Sequence, residues 1–224
     1  MKKLNILFFI ILSYTNLFSQ VGIGTTSPTK DLDINGELRI RNLPSTTETN
    51  ILTSDSDGNI GKIKTFILSN ISSDVALVNV DRAVNTISTI DNIDLGLSKT
   101  IVIPANTDAA VIITYSVPIG ISTFTNPIGY YGIRFLKDGV EAIQGSRKFS
   151  CIRNAGANMV TVSNTYIENF TSNALSRSIN YSLNGYIENL SSGTNHTFRF
   201  NMWNPTGSNY NWGIATITTV VYIK

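Results

Sequence analysis

The residue types that carry catalysis are few in this chain and do not cluster. His196 is the single histidine and falls in a stretch of alternating polar and apolar residues, which favours a structural or surface role over acid–base chemistry. Only Glu168 and Glu188 share a context, because Tyr-Ile-Glu-Asn occurs twice, and two copies are too few to predict a repeat architecture. Phosphate-binding loops, zinc-ligand spacings, dinucleotide fingerprints and nucleophile elbows are absent from the sequence. We therefore predict no catalytic residue, no metal site and no cofactor.

One loop has the composition of a binding site. Residues 201–213 hold three aromatic side chains and four asparagines. Aromatic rings stack on the apolar faces of sugars, and side-chain amides hydrogen-bond to hydroxyl groups. Trp203, Asn209, Tyr210 and Trp212 are therefore candidate ligand-binding residues. In the alternative interpretation the two tryptophans end strands and cap the core, which leaves Tyr210 as the best exposed aromatic.

The elements that position these residues follow a predicted leader, residues 1–19. Lys2 and Lys3 precede an apolar run, and a polar stretch ends at Ser19 before Gln20, an order of regions typical of a secretory signal peptide. The apolar run is shorter than the ~20 residues that span a bilayer, and no later run reaches that length, so membrane insertion is not predicted. We expect cleavage between Ser19 and Gln20 and a protein that is secreted or held at the cell surface, with an uncleaved anchor as the alternative.

Charge and cysteine content narrow the classes of partner. The chain has 17 Lys and Arg against 15 Asp and Glu, and removal of Lys2 and Lys3 leaves 15 of each. A neutral mature chain lacks the electrostatic footprint of a nucleic-acid or anionic-membrane binder. Cys151 has no partner cysteine in the sequence, so it is either a small buried hydrophobe or an intermolecular link.

The composition predicts an all-β protein. Isoleucine occurs 30 times and Asn, Ser and Thr together 73 times, whereas Glu occurs 5 times and Ala 10 times, so strong helix formers are scarce. Short apolar runs between turn signals recur over residues 66–224, with separate strands at 86–90 and 100–103 and the clearest hairpin at Lys137-Asp138-Gly139. This spacing predicts an antiparallel, jelly-roll-like β-sandwich domain.

The order of segments from residue 190 onward is typical of certain jelly-roll β-sandwiches. Leu190-Ser191-Ser192-Gly193 precedes the strand-like stretch 196–200, a loop and a final apolar strand. This order resembles the tumour-necrosis-factor-like jelly rolls and the receptor-binding jelly rolls of tail fibres. The resemblance implies an architecture and is silent on a ligand.

Residues 20–65 have the pattern of a small hairpin neck. Asn35-Gly36 stands between alternating apolar residues, which is typical of a tight hairpin because both turn positions need φ > 0. The hairpin would place four aliphatic side chains on one face: Leu32, Ile34, Leu38 and Ile40. Since a two-stranded hairpin is marginal in water, this face must meet either the downstream domain or equivalent hairpins of sister chains. The four residues are the predicted oligomer contacts.

The motif VGIGTTSP followed by LDINGELRIR resembles the repeat of phage tail-fibre proteins and of many secreted bacterial fibre-like or adhesin-like proteins. The matching positions are Val21, Gly22, Ile23, Gly24, Thr25, Pro28, Leu32, Asp33, Asn35, Gly36, Arg39 and Arg41. LTSDSDGNIGK, at 52–62, is similar to the segment that often follows this repeat. Such segments knit three chains into a shaft or neck, so the resemblance implies a homotrimer. No region resembles the self-cleaving chaperone domain of many tail fibres, and autoproteolysis is therefore not implied.

The acidic run at 55–59 also invites a calcium interpretation. A calcium loop of the EF-hand type needs Gly at its sixth position and Glu at its twelfth, and counting from Asp55 these positions hold Ile60 and Phe66. A turn at Asp57-Gly58 between two short strands accounts for the run better. We do not predict calcium binding.

These observations support three hypotheses. The first is an exported, non-enzymatic structural or adhesion-type module, homotrimeric, whose sandwich head binds a surface glycan or protein partner. The second is a monomeric carbohydrate-binding protein that uses the loop at 201–213. The third is a glycoside hydrolase, because the spacing of carboxylates along a sequence does not reveal their distances in space.

Overall fold

The computed structural model describes residues 20–39, 41, 50–123, 125–151, 158–203 and 213–224. The described residues form β-strands and a single turn of 3-10 helix, Ile143–Gly145. None of their helices is long and apolar enough to cross a membrane. Contacts divide the chain into a unit of residues 1–48 and a unit of residues 49–224, an earlier division than the one placed after residue 65 from the sequence. The predicted leader lies outside the described residues.

The N-terminal unit is built on a short parallel pair of strands. β1 (Val21–Ile23) pairs in parallel with β2 (Leu32–Ile34), with Val21 opposite Leu32 and Ile23 opposite Ile34. Asp33 holds the connection between them. Its carboxylate accepts hydrogen bonds from the backbone N–H of Thr29 at 2.8 Å and from the Thr29 hydroxyl at 3.1 Å.

The hairpin predicted across Asn35-Gly36 is wrong, because residues 37–39 form no strand. The backbone N–H of Asn35 donates to Ile23 O at 2.8 Å, and its side-chain amide donates to Gly24 O at 3.3 Å. Asn35 therefore extends the pairing of β2 with β1 and does not turn the chain back on itself. Of the predicted contact residues, Leu32 and Ile34 share β2, Leu38 follows it, and Ile40 lies outside the described residues.

An antiparallel hairpin does follow, formed by β3 (Asn50–Ser54) and β4 (Ile60–Lys64). Asp55 organises its turn, since the carboxylate accepts the backbone N–H and the side-chain amide of Asn59, each at 2.9 Å. Gly58 supplies the left-handed conformation that the turn needs, with φ of 82°. The turn predicted at Asp57-Gly58 is confirmed, and hydrogen-bond donors of the turn itself occupy the Asp55 carboxylate.

Residues 67–223 form two antiparallel sheets. Their strands are β5 (Ile67–Val75), β6 (Val80–Val84), β7 (Ser88–Ile103), β8 (Ala109–Ile121), β9 (Gly129–Lys137), β10 (Val140–Glu141), β11 (Arg147–Ser150), β12 (Asn158–Phe170), β13 (Arg177–Asn189), β14 (His196–Phe200) and β15 (Thr216–Ile223). In the first sheet β8 pairs with β12 on one side and with β15 and β14 on the other, and β5 and β6 continue outward from β15 and β14. In the second sheet the order is β7, β13 and β9, with β10 and β11 both on the free side of β9.

The strand order is that of a jelly roll. Numbering β5, β7, β8, β9, β11, β12, β13 and β15 from 1 to 8, the first sheet has the order 1-8-3-6 and the second 2-7-4-5. The chain thus crosses between the sheets at nearly every connection, as two Greek keys folded on each other require. The predicted fold class, an antiparallel jelly-roll-like sandwich, is confirmed.

The core lies between the two sheets and contains an aromatic cluster around Phe135 of β9. The Phe135 ring centroid is 6.2 Å from that of Tyr115 on β8, 4.9 Å from Tyr166 on β12 and 5.7 Å from Tyr181 on β13. The four rings come from four strands and both sheets. Their contacts therefore join the layers of the sandwich.

The two strands predicted at 86–90 and 100–103 form one continuous strand, β7. Its register against β13 shifts between Leu97 and Asp94, which leaves two residues bulged out of the ladder. Gly96 takes φ of 66°, and its N–H donates to the Asp94 carboxylate at 2.8 Å. A glycine in a strand pattern thus marks a β-bulge here and not the end of the strand.

Candidate functional site

The outer face of the second sheet carries a cluster of charged and tyrosine side chains. Along β13 the buried residues alternate with half-buried ones, so Tyr186 and Glu188 lie side by side on the outer face. The register places Lys148 of β11, Gly132 of β9 and Tyr186 in one row across three strands. Because Gly132 has no side chain, Lys148 reaches across it to the two residues of β13.

Lys148 is held by hydrogen bonds and by two aromatic rings. Its Nζ lies 2.9 Å from Glu188 Oε2 and 3.1 Å from the Tyr186 hydroxyl, which itself donates to Glu188 at 2.7 Å. The same ammonium lies 4.6 Å from the ring centroid of Tyr186 and 5.0 Å from that of Tyr130. The hydrogen bond from Lys148 lowers the pKa of Glu188, and reciprocally the bond to Glu188 raises the pKa of Lys148.

A second charged set adjoins the first. Arg134 Nε donates to Glu141 at 2.9 Å, and its Nη1 donates to the backbone oxygen of Asp91 at 2.6 Å and lies 3.3 Å from the Asp91 carboxylate. Glu141 also accepts the hydroxyl of Ser146 at 2.7 Å. Burial would raise the pKa of Glu141, but the bonds from Ser146 and Arg134 hold it below its ordinary value.

A shallow groove of about 290 Å³ runs between these two sets. Its lining residues are Asp91, Ile133, Arg134, Glu141, Ile143, Ser146, Arg147, Lys148 and Tyr186. The guanidinium of Arg147 bonds to two backbone carbonyls, Gln144 O at 3.1 Å and Ser146 O at 2.7 Å, and no ion pair of the described residues includes it. The groove therefore offers donors and paired charges to a polar ligand.

The two carboxyl pKa values shifted on this face, those of Glu141 and Glu188, are both lowered. A general acid needs a raised carboxyl pKa, whereas every carboxyl pKa shift resolved in the described residues, at Asp81, Glu141 and Glu188, is downward. Burial raises the pKa of the half-buried Cys151 thiol to about 11, so the thiolate nucleophile is scarce at neutral pH. Among the described residues no group of three His, Cys, Asp or Glu side chains could hold a metal ion.

A second set of Lys, Tyr and Glu side chains, the residue types of the Lys148 cluster, lies between the sheets. Glu168 of β12 accepts the hydroxyls of Tyr181 at 3.0 Å and Tyr166 at 3.3 Å, and it forms an ion pair with Lys137 of β9. This Tyr, Glu and Lys set ties the first sheet to the second. Its Lys137 also lies 5.1 Å from the ring centroid of Phe170.

The repeated Tyr-Ile-Glu-Asn was the sequence signal for both sets. Tyr and Glu two residues apart on a strand share a face, so each copy presents a hydroxyl to its own carboxylate. In β12 that face points towards the interior and Ile167 is exposed, whereas in β13 Ile187 is buried and Tyr186 points outward. Which copy would lie on the surface depends on strand pairing and could not be inferred from the repeat.

Of the predicted ligand-binding residues only Trp203 is described; Asn209, Tyr210 and Trp212 lie outside the described residues. Trp203 is half-buried, and its carbonyl accepts a hydrogen bond from Arg199 at 2.6 Å. The Arg199 guanidinium lies 5.8 Å from the Trp203 ring centroid and pairs with both carboxylate oxygens of Asp81. Trp203 therefore packs against Arg199 and is not among the residues that line the groove on the second sheet.

His196 closes one end of the sandwich. Its side chain is 2% exposed, with Nδ1 at 2.8 Å from the Thr125 hydroxyl and Nε2 at 3.2 Å from the Ser191 hydroxyl. The Ser191 hydroxyl also lies 3.0 Å from Asn189 Oδ1. Burial lowers the pKa of His196, since these neutral partners do not compensate an imidazolium.

The fold is expected to lose stability as the pH falls below the ordinary histidine pKa of 6.5. Between that value and the lower pKa of folded His196, the unfolded chain binds a proton that the folded chain does not, so the free energy of unfolding decreases. Urea unfolding at pH 7.5 and 5.5 measures this, and the wild type should lose more stability than His196→Asn. Equal losses in the two proteins would contradict the assignment.

No family model and no curated protein matches the chain. Similar solved structures include the infectious bursal disease virus Gt strain, with a TM-score of 0.40 and 13% identity over 81% of this chain and 46% of that one. Another is the VP2 subviral particle of the same virus, with a TM-score of 0.32 and 14% identity over 80% of this chain and 45% of that one. The chain spans less than half the length of these proteins, and a likeness this distant carries no conclusion about function.

Proposed function

We propose that the protein is an exported, non-enzymatic structural module that assembles as a homotrimer and presents its β-sandwich as a head for a surface glycan or protein partner. The observation that carries this proposal is the exposed aliphatic surface of the N-terminal unit. Val21 is 52%, Ile23 54%, Leu32 56% and Leu38 64% exposed. These side chains stand on or beside a pair of three-residue strands.

A pair of three-residue strands cannot cover its own aliphatic side chains, since even a two-stranded hairpin is marginal in water. Equivalent segments of sister chains supply matching aliphatic surface. A mature chain with 15 basic and 15 acidic residues also brings no net charge to oppose association. The resemblance of residues 21–41 to tail-fibre necks supports three as the number of chains.

The non-enzymatic part of the proposal rests on the state of the titratable groups. The shifted carboxyl pKa values of the described residues are lowered by cations or hydrogen-bond donors, and the single histidine is buried among neutral groups. The charged groove on the second sheet then serves as the binding surface of the head. Its paired charges and tyrosines suit a polar partner such as a glycan or a charged protein surface.

Sedimentation of residues 20–224 is expected to give the mass of three chains, and deletion of residues 20–41 is expected to lower the oligomeric state. The deletion removes the exposed residues Val21, Ile23, Leu32 and Leu38 while leaving both sheets of the sandwich intact. Circular dichroism of the shortened chain controls for the fold. A monomer of residues 20–224 at micromolar concentration would overturn the proposal and favour the monomeric carbohydrate-binding hypothesis.

A further inference from the structure

The outer face of the first sheet differs in chemistry from that of the second. Along β8 the odd-numbered residues from Ala109 to Val117 are buried, so the even-numbered side chains point away from the core. The same alternation sets the outward side chains of β15 and β12, and pairing with β15 sets those of β5. The outward positions of these four strands fall into register.

Four rows of side chains cross this face, and together they define the neutral face. Their members are Leu68, Tyr222, Ala110 and Asn169; Ile71, Val220, Ile112 and Ile167; Ser73, Thr218, Thr114 and Thr165; and Val75, Thr216, Ser116 and Ser163. The second row is aliphatic from one edge of the sheet to the other. Its two end members remain open to solvent in the single chain, with Ile71 61% and Ile167 62% exposed.

No residue of the four rows carries a charge. At the outward positions of the described residues, charges begin beyond the ends of the face. They are Lys224 and Asp108, which exchange backbone hydrogen bonds, and the ion pair of Arg199 with Asp81. An uncharged centre bounded by charged rows is the anatomy of a protein interface.

Two hydroxyls of the polar row satisfy each other. The hydroxyls of Ser73 and Thr218 lie 2.7 Å apart and bond to each other within the face. Side chains that satisfy one another do not have to exchange water for a partner when a second surface covers them. The neutral face thus combines an aliphatic row with a hydroxyl row in which Ser73 and Thr218 tolerate desolvation.

The second sheet shows the contrast within the same fold. Its outer face carries a set of ionised side chains, namely Asp91, Arg134, Glu141, Lys148 and Glu188. Covering that face would desolvate several charges, which is costly. The sandwich therefore has one face suited to solvent and polar ligands and one suited to burial.

We infer that the neutral face is the surface through which the sandwich heads pack against other copies of this chain, an inference that rests on the proposed self-association. A copy of this chain can bring its own neutral face, so no unpaired charge is buried, whereas a partner with an ordinary charged surface would leave charges without counterparts. Strands about 4.8 Å apart and rows about 6.8 Å apart make the face roughly 500 Å². Three such faces meeting around the three-fold axis of the proposed trimer bury roughly 1,500 Å² in total, which is comparable with one standard-size interface.

A matched pair of substitutions in residues 20–224 tests the inference. Ile167→Lys places a charge in the aliphatic row, on the edge strand β12. Val102→Lys is the control, because it places a charge on β7, the edge strand of the other sheet, outside the neutral face. The two side chains are equally open, at 62% and 63% exposed, so neither change disturbs the core. Thr114→Arg, in the centre of the face, is the second variant, and thermal unfolding monitors the fold of all three.

Ile167→Lys and Thr114→Arg are expected to raise the concentration at which the chain assembles at least tenfold, while Val102→Lys leaves it unchanged. If the wild type assembles and neither Ile167→Lys nor Thr114→Arg changes the concentration at which it does so, this inference is overturned and the proposed function stands. An equal effect of Val102→Lys would also overturn the inference. A wild type that does not assemble would overturn the proposed function and this inference with it.

Discussion

Replacing Phe135 with alanine is expected to lower the free energy of unfolding of the sandwich by about 3–5 kcal/mol, the range for removal of a buried aromatic ring. Phe135 is fully buried, and three tyrosine rings from both sheets pack on it. The backbone of Gly145 also approaches the ring so closely that a Cβ there would lie 2.3 Å from a ring carbon. The cavity could not close without moving one sheet relative to the other.

Phe149→Ala is the matched control for Phe135→Ala. Phe149 lies on β11 and is 44% exposed, so its truncation should cost about 1 kcal/mol or less. Urea unfolding of the wild type and both variants, followed by far-ultraviolet circular dichroism, measures the two losses. If Phe135→Ala cost no more than Phe149→Ala, the aromatic cluster would not be what joins the sheets.

The parts of the fold that follow local rules could be predicted from the sequence. The turn at Asp138 and Gly139 is confirmed, with φ of 50° and 79° at the two positions, because Asp-Gly between alternating residues is itself the requirement for that turn. Alternating apolar and polar residues predict a strand at 179–187, and the structure places it at Arg177–Asn189 with buried and half-buried residues in alternation. Such rules need no knowledge of what the strand packs against.

The errors occurred where distant partners overrule a local pattern. Asn35-Gly36 has the signature of a hairpin, but Asn35 bonds to Ile23 and Gly24, residues that the turn rule does not consider. Gly96 interrupts a strand pattern without ending the strand, because β13 continues its pairing on both sides of the bulge. In each case the competing interaction spans ten residues or more along the chain.

The candidate site could not be predicted for a related reason. Lys148 meets Tyr186 and Glu188 only through the registers of β11 with β9 and of β9 with β13. The neutral face likewise depends on four strands whose outward residues are each unremarkable, because Ile112 or Thr114 alone predicts nothing about association. Absence of charge becomes informative only when the pairing shows that the uncharged residues are neighbours.

Replacing Gly132 with alanine is expected to cost about 3 kcal/mol, at the upper end of the penalty for overpacking. A Cβ at this position would lie 2.1 Å from Arg147 O and 2.7 Å from Lys148 Cα. Both are backbone atoms of β11, so a change of rotamer cannot relieve the overlap and the strand must move away from β9. That movement would lift Lys148 from the rings of Tyr130 and Tyr186 and open the groove at its wall.

Gly61→Ala is the control for Gly132→Ala, because Gly61 also lies in a strand, has no left-handed φ and would have no atom within 4 Å of a new Cβ. Its expected change in stability is within about 0.5 kcal/mol. Trypsin under native conditions provides a local readout, since displaced β11 should become cleavable after Arg147 and Lys148 in Gly132→Ala alone. If Gly132→Ala kept both its stability and its resistance to trypsin, close approach of β11 to β9 would not be what positions Lys148, and the groove would have to be held by the ion pairs of Arg134 and Glu188.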